Sequence, residues 1–268
     1  MSPPRSAAFF DLDKTVIARS SALAFTRRFY DGGLLSKRTM LRSAIAQLQF
    51  LLTAAPEDHV ERMRKHVTEM SAGWDAATVR SIVTETLEDV VRPVIFTEAA
   101  ALIAEHKAAG RDVVLISASG MEMVEPIGEL LGADLVRATV MEVIDGRYSG
   151  RIEFYCYGEA KAQAMRELAD ERGYDLSQCY AYSDSATDIP MLTAAGNRAV
   201  VNPDKVLRAY AQEHDWEILD FPNPAPLVDW SSTTTRGWTA FAAGVSAVAV
   251  AAATYGIVHL LQERHDAA

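Results

Sequence analysis

The sequence predicts an α/β protein with a Rossmann-like, mostly parallel sheet and helices on both faces. Three observations favour this class. Short apolar runs of strand length alternate with helical segments over residues 92–221. Acidic or hydroxyl residues directly follow several apolar runs of the sequence, as Asp11 follows the run Ala7–Phe10. A long block of helical periodicity separates the first run from the others. Parallel sheets bind ligands beyond the carboxyl ends of their strands, so we expect the polar residues to share one edge.

The predicted core comprises residues 7–16 and 92–221. Its first strand, Ala7–Phe10, is continuously apolar, as buried parallel strands are. Residues 17–91 have apolar side chains three and four positions apart, which predicts a helical-bundle cap inserted after this strand. The remaining predicted elements are helix Thr97–Ala109, strand Val113–Ile116, helix Gly120–Leu131, strands Leu135–Ile144 and Arg147–Tyr155 joined by a tight turn at Asp145-Gly146, helix Glu159–Arg172, strand Cys179–Tyr182, a short helix Pro190–Ala194, and strands Arg198–Val201 and Glu217–Leu219.

The C-terminal region differs from the core. Residues 222–236 form a polar, proline-containing linker, and residues 237–262 contain no Asp, Glu, Lys or Arg. As a helix, this stretch would be roughly 39 Å long, more than the roughly 30 Å hydrocarbon core of a bilayer. We therefore predict a C-terminal transmembrane helix that tail-anchors a cytoplasmic α/β domain to the inner face of the cell membrane. The stretch is rich in alanine, so a buried or partner-binding helix is the alternative.

Composition excludes several classes of protein. A formal net charge of −10 argues against nucleic acid as the main partner, because phosphate backbones select basic surfaces. The two cysteines form neither a disulfide framework nor a metal motif. A small phosphorylated substrate remains compatible with the charge, since one local site can be positive. The oligomeric state cannot be predicted from the sequence.

Two carboxylates follow the first predicted strand, in the segment Asp11-Leu12-Asp13-Lys14-Thr15. Side chains two residues apart on an extended segment point the same way, so both can reach one site. They could share a divalent cation, or act as a nucleophile and an acid/base. By itself, such a pair is more often a solvated turn, and the apolar strand before it favours the functional interpretation.

Two further features lie at predicted helix starts. The segment Ser117–Gly120 follows a strand and offers a hydroxyl and free backbone N–H groups, as phosphate sites do, although Ser119 also suits an ordinary N-cap. Lys161 lies in the first turn of its helix, where a cation opposes the helix dipole. That local conflict suggests a function, and a solvated lysine is the alternative.

The last acidic pair is Asp184 and Asp188, which follow the predicted strand Cys179–Tyr182. Asp188 precedes Ile189-Pro190, so it could simply cap a helix. Together with the first pair, these residues supply hard oxygen ligands of the kind that Mg²⁺ prefers.

The order and placement of these four segments closely resemble the four motifs of the haloacid-dehalogenase-like phosphatases over about residues 7–220. The helical insertion after the first motif resembles the phosphoserine-phosphatase-like subfamily, and within it the SerB-type hydrolases of actinobacteria with a hydrophobic tail. The resemblance implies that Asp11 attacks phosphorus and that Asp13 protonates the leaving alcohol. It implies that Ser117, the Ala118 N–H and Lys161 hold the phosphoryl group. Mg²⁺ would be bound by Asp11, Asp13, Asp184 and Asp188.

The substrate-recognising positions depart from this subfamily. Residues 16–20 lack the glutamate that usually recognises the amino group of phosphoserine, and Arg64 is the candidate to bind the substrate carboxylate. The sequence therefore predicts a magnesium-dependent phosphomonoester hydrolase of phosphoserine phosphatase type. A phosphatase for membrane-lipid phosphates or lysophospholipids is one alternative. A non-catalytic, membrane-anchored module that binds phosphoryl groups is another.

Overall fold

The structure, a computed structural model, describes residues 5–35, 64–65 and 68–222. The described strands form one seven-stranded sheet in the order β4-β3-β2-β1-β5-β6-β7. The strands are β1 (Ala7–Phe10), β2 (Asp112–Gly120), β3 (Leu135–Ile144), β4 (Arg147–Phe154), β5 (Tyr180–Ser183), β6 (Asn197–Val201) and β7 (Glu217–Leu219). The helices are α1 (Ser21–Asp31), α2 (Ala76–Val90), α3 (Thr97–Ala108), α4 (Met121–Leu131), α5 (Glu159–Arg172), α6 (Ile189–Ala194) and α7 (Lys205–Glu213).

Strand β1 lies at the centre of the sheet and is buried on both faces. Ala8 and Phe10 pack into one apolar cluster, with residues of α1 to α4. Ala7 and Phe9 pack into a second cluster, with residues of α5, α6 and α7. Successive side chains of a strand point to opposite faces, so a continuous apolar run is required where helices cover both sides. The predicted Rossmann-like fold with helices on both faces is confirmed.

Only β4 runs antiparallel to its neighbour in this sheet of described strands. It is joined to β3 by the predicted turn, in which Asp145 has φ 50° and Gly146 has φ 77°. Two consecutive positive φ angles define the turn whose twist matches that of a two-residue hairpin. Asp145 and Gly146 therefore form the predicted hairpin turn, because aspartate and glycine tolerate the positive φ angles that it requires.

The helical block after β1 is joined to the core by two segments that pair with each other. Ile17 bridges Ile95 in antiparallel fashion. The Ala18 N–H donates to the Val94 carbonyl at 2.8 Å, and the Phe96 N–H donates to the Val16 carbonyl at 3.0 Å. Helices α1 and α2 belong to this block. The limits of the cap stay a prediction, because residues 36–63 and 66–67 lie outside the described residues.

Two elements differ from the sequence prediction. Strand β2 continues through Ser117–Gly120, and α4 begins at Met121 with Gly120 as its N-cap. Ser119 is therefore not the N-cap, because its segment stays extended beside β3, with a register shift between Ser117 and Gly120. Helix α7 is absent from the predicted elements. The Asp204 side chain caps it by accepting from the N–H groups of Val206 and Leu207.

The chain divides into two compact units, residues 1–227 and 228–268. All described residues belong to the first unit. Among them, no helix has the length and apolar character needed to cross a bilayer. The predicted transmembrane helix at residues 237–262 and the linker beyond residue 222 lie outside the described part of the chain.

Candidate active site

Asp11 and Asp184 are brought together by neighbouring parallel strands. Strand β1 pairs with β5 so that Phe10 lies opposite Tyr182, and the Asp11 N–H continues this pairing by donating to the Tyr182 carbonyl at 2.9 Å. Thr15 Oγ1 lies 3.5 Å from Asp11 Oδ2 and 3.4 Å from Asp184 Oδ1. Both carboxylates are buried, at 6% and 8% relative exposure. The sheet edge therefore joins two acidic residues that are 173 positions apart in the sequence.

Lys161 connects Asp11 to Asp188. Its Nζ donates to Asp11 Oδ1 at 2.6 Å and to Asp188 Oδ2 at 2.7 Å, and only 3% of the residue is exposed. Burial alone would lower the pKa of Lys161, but the two carboxylates raise it above its usual value. The lysine is therefore held as a cation between two acids. This contact explains why a lysine lies in the first turn of α5 in spite of the helix dipole.

The pKa of Asp11 is raised to about 7, mainly by burial, and Lys161 opposes this rise. Burial likewise raises the pKa of Asp184 to about 6. The protein alone therefore does not compensate fully for the charges of this cluster. An added cation is the natural counterpart of such carboxylates.

Asp188 faces the cluster and does not cap the helix that follows it. Its side chain makes no capping hydrogen bond to α6. Asp188 Oδ2 accepts from Lys161 and from Ser183 Oγ, the latter at 2.6 Å. Its Oδ1 is buried and has no hydrogen-bond partner within the described structure. Since buried polar atoms are normally satisfied, this oxygen is suited to a ligand.

The Asp13 carboxylate is held by other donors than Lys161. Its Oδ1 accepts from the Ser21 N–H at 2.8 Å, and its Oδ2 lies 3.3 Å from Ser21 Oγ and 3.1 Å from Ser119 Oγ. Burial raises the pKa of Asp13, and the bonds from the two serines oppose the rise. The two carboxylates of the first motif thus occupy different surroundings, which is what a division between nucleophile and acid/base requires.

Ser117 lies at the register shift of β2 and is 1% exposed. Its Oγ accepts from the Ser119 N–H at 3.1 Å, while the Ala118 carbonyl accepts from Thr139 Oγ1 at 2.7 Å. Bulges and register shifts often re-aim residues beside active sites. The structure places Ser117 and Ala118 on the strand next to β1, two residues and one residue before the Ser119 that contacts Asp13.

Arg64 is not part of these contacts. It lies in the helical block and is exposed, and the hydrogen bonds described around Asp11 and Asp13 do not involve it. Its role in substrate binding stays a prediction. Ser21 and Ser183, by contrast, contact the predicted site residues although the motifs assign them no role. Ser183 lies inside the fourth motif, whereas Ser21 has no signal beyond its place at the start of α1.

The acidic residues of this cluster are of a kind that suits a magnesium ion. Across residues 5–35, 64–65 and 68–222, no three His, Cys, Asp or Glu side chains converge into a metal site. Mg²⁺ typically keeps several waters and binds one or two carboxylates together with substrate phosphates. Asp11, Asp184 and the unpartnered Oδ1 of Asp188 supply hard oxygen atoms of this kind. The Asp13 side chain is hydrogen-bonded to Ser21 and Ser119, which leaves its backbone carbonyl oxygen as the atom available to bind a metal ion.

This arrangement leads to a prediction about stability. Because the pKa values of Asp11 and Asp184 are raised in the folded state, the folded protein binds protons more tightly than the unfolded chain. Without metal, the free energy of unfolding should therefore fall as pH rises from about 4 to about 7. Mg²⁺ competes with these protons and should stabilise the protein more at pH 8 than at pH 5.5. Metal at 100 times its Kd adds about 2.7 kcal/mol, or about 5–11 °C in Tm.

Thermal unfolding in chelator and in Mg²⁺ at both pH values measures this effect. Asp184→Asn is the matched variant, and we expect it to show a smaller Mg²⁺ shift at pH 8. An equal Mg²⁺ shift at pH 5.5 and pH 8 would contradict the assignment of these carboxylates to the metal.

The fold and the site together define a Rossmann-like α/β protein that carries a buried aspartate directly after its first strand. The profile of the haloacid dehalogenase-like hydrolases matches residues 8–193, and the chain belongs to this family. A probable phosphatase of Mycobacterium tuberculosis is 55% identical over 256 residues, which cover 95% of this chain and 89% of the relative. A phosphoserine phosphatase of the same organism is 35% identical over 218 residues, covering 81% and 71%.

Solved structures agree on the fold. A Bordetella pertussis protein of unknown function is 27% identical and superposes with a TM-score of 0.71, covering 81% of this chain and 99% of that protein. A phosphoserine phosphatase with an analogue of its phospho-aspartyl intermediate is 20% identical, with a TM-score of 0.60 and coverage of 83% and 96%. The predicted resemblance to phosphoserine-phosphatase-like hydrolases is confirmed.

Proposed function

We propose that this protein is a phosphomonoester hydrolase that works through an aspartyl-phosphate at Asp11. The observation that carries the proposal is the buried contact of Lys161 with Asp11 Oδ1, which leaves Asp11 Oδ2, in long contact with Thr15 Oγ1 at 3.5 Å, as the oxygen that attacks. Phosphoryl transfer depends on positioning and charge neutralisation more than on elaborate covalent chemistry. The names of the relatives, a probable phosphatase and a phosphoserine phosphatase, support this activity.

The reaction then follows from the places of the side chains. Asp11 Oδ2 attacks phosphorus, and the bond between phosphorus and the ester oxygen breaks as Asp13 gives that oxygen a proton. Asp13 next takes a proton from water, which attacks the phosphorus of the aspartyl-phosphate and releases phosphate and free Asp11. Lys161 keeps Asp11 oriented and offsets the charge of the phosphoryl group, while Ser117 and the Ala118 N–H hold its oxygens. Mg²⁺, bound by Asp11, Asp184, Asp188 and the Asp13 carbonyl, would supply positive charge to the phosphoryl oxygens.

We propose a small phosphorylated metabolite as the substrate, with phosphoserine as the first compound to test. The 35% identity to a phosphoserine phosphatase supports this choice. The absence of a carboxylate at residues 16–20 is the feature that opposes it. The substrate is therefore the part of the proposal that most needs measurement.

The test is phosphate release by the full chain in Mg²⁺ and mild detergent, with phosphoserine and a lysophosphatidate in parallel. Preference for phosphoserine supports the proposal. Preference for the lysophosphatidate would replace the metabolite with a lipid substrate and keep the enzyme class. No release from either compound or from an aryl phosphate would leave the chain as a phosphoryl-binding module and overturn the proposal.

We also propose that residues 237–262 anchor the catalytic domain to the cytoplasmic face of the membrane. Support comes from the sequence alone, which has no Asp, Glu, Lys or Arg over this stretch. The full chain should sediment with membranes and resist carbonate extraction, whereas a chain ending at residue 230 should remain in the supernatant. Recovery of the full chain in the supernatant would refute the anchor.

A further inference from the structure

Ser21 makes an unusual set of contacts for the first residue of a helix. It is fully buried, its N–H donates to Asp13 Oδ1 at 2.8 Å, and its Oγ lies 3.3 Å from Asp13 Oδ2. The same Oγ is 2.7 Å from Ser119 Oγ, which itself donates to Asp13 Oδ2 at 3.1 Å. One residue therefore engages both oxygens of the Asp13 carboxylate, and a second hydroxyl closes the network.

The network replaces the usual N-cap of α1. Helix N-termini leave backbone N–H groups without partners, and a side chain at the N-cap position normally accepts from one of them. Ser20 holds that position here, but its side chain makes no capping bond. Asp13 accepts from the Ser21 N–H instead. The end of this helix and the orientation of Asp13 are consequently determined by the same bonds.

The contact also joins two parts of the chain. Ser21 begins the first helix of the block inserted after β1, whereas Asp13 follows β1 and Ser119 lies near the end of β2. Ser119 is 98 residues away from Ser21 in the sequence. Asp13 is fully held only when the start of α1 rests against the end of β2.

We propose that Ser21, with Ser119, is a positioning residue that fixes the Asp13 carboxylate for proton transfer to the leaving group. This inference rests on the proposed function, in which Asp13 is the acid. Ser21 acts through Asp13 and does not touch the phosphoryl group. Removing its hydroxyl leaves the backbone bond to Asp13 Oδ1 and takes away one of the two serine hydroxyls that lie against Oδ2.

Leaving-group dependence distinguishes this role from a merely structural one. An alkyl phosphate requires a proton on its departing oxygen, whereas 4-nitrophenyl phosphate releases a stable phenolate without one. We compare kcat/KM, which covers the steps up to departure of the leaving group and excludes the later hydrolysis. Ser21→Ala should lower kcat/KM for an alkyl phosphate about 10- to 100-fold, a typical share of acid catalysis, and for the aryl ester by less than about 3-fold.

Three variants complete the experiment. Thr26→Ala is the matched control, because it removes a hydroxyl of the same helix that bonds only the Ala22 carbonyl in the described contacts, and it should leave both rates near wild type. Ser119 contacts the same carboxylate from the core, so Ser119→Ala should show the same selective loss. This variant keeps the proposal testable if Ser21→Ala folds poorly. In an Asp13→Asn background, Ser21→Ala should cause no further loss of kcat/KM, since coupled residues are not additive.

The outcomes separate the two proposals. Suppose that the wild-type protein hydrolyses both esters. If the serine variants then lower the two rates equally, or lower neither rate, Ser21 is not a positioning residue and the proposed function stands. A further loss of the same size in the Asp13→Asn background would also overturn the Ser21 inference. If the wild-type protein hydrolyses neither ester, the proposed function fails, and the inference fails with it.

Discussion

Replacing Lys161 with methionine is expected to lower both the stability and the activity of this protein severely. Lys161 is 3% exposed, and its Nζ lies 2.6 Å from Asp11 Oδ1 and 2.7 Å from Asp188 Oδ2. Removing one partner of a buried ion pair leaves an uncompensated charge and typically costs about 3–5 kcal/mol. For a domain of this size, that corresponds to about 6–20 °C in Tm.

The activity should fall about 10³-fold or more, because a positioned charge that stabilises a transition state is worth this much in other enzymes. Phosphate release and thermal unfolding measure the two effects. Lys107→Met is the matched control. Its ion pair with Asp134 is 3.2 Å long but solvent-exposed, so we expect a loss below about 1 kcal/mol.

The stability loss of Lys161→Met should also depend on pH. At low pH, Asp11 takes up a proton, which removes one of the charges that the lysine compensates. The difference in Tm between variant and wild type should therefore be smaller at pH 5 than at pH 8. A difference of under 2 °C at pH 8 would contradict a stabilising role for this ion pair.

Much of the fold was predictable because its signals are local. The run Ala7–Phe10 is apolar throughout because both faces of β1 are covered, and the Asp145-Gly146 turn requires two positive φ angles. Helix α7 was missed although Asp204 is a recognisable N-cap. The helix has only nine residues and buries only Leu207 and Ala211, so it is too short for its pattern to repeat.

The site was predictable where residues follow strands, and less so where contacts depend on docking. Asp11, Asp184 and Asp188 each lie at or near the end of β1 or β5, so the topology alone brings them together. The alternative interpretation of Ser119 as an ordinary N-cap is wrong, because the register shift in β2 keeps its segment extended. Ser21 could not be found, since its contact with Asp13 forms only when α1 packs against a strand 98 residues away.

Replacing Asp11 with asparagine should abolish catalysis without destabilising the fold, in contrast to Lys161→Met. Asparagine keeps the shape of the side chain but lacks a nucleophilic oxygen, so phosphate release should fall about 10⁴-fold or more. No aspartyl-phosphate should accumulate when the variant is mixed with labelled substrate and quenched in acid. Residual activity above about 1% of wild type would show that another residue is the nucleophile.

The stability of Asp11→Asn tests whether the nucleophile itself weakens the fold. Burial raises the pKa of Asp11 to about 7 from an ordinary value of 3.8, so above pH 4 the folded state increasingly disfavours its ionised form relative to the unfolded chain. Asparagine cannot ionise. In metal-free buffer, the variant should therefore gain in Tm over wild type as pH rises from about 4 to 7, and the gain should level off above pH 7. A Tm below wild type across this range would contradict this prediction. It would mean that the ion pair of Asp11 with Lys161 stabilises the fold by more than the burial of the Asp11 charge destabilises it.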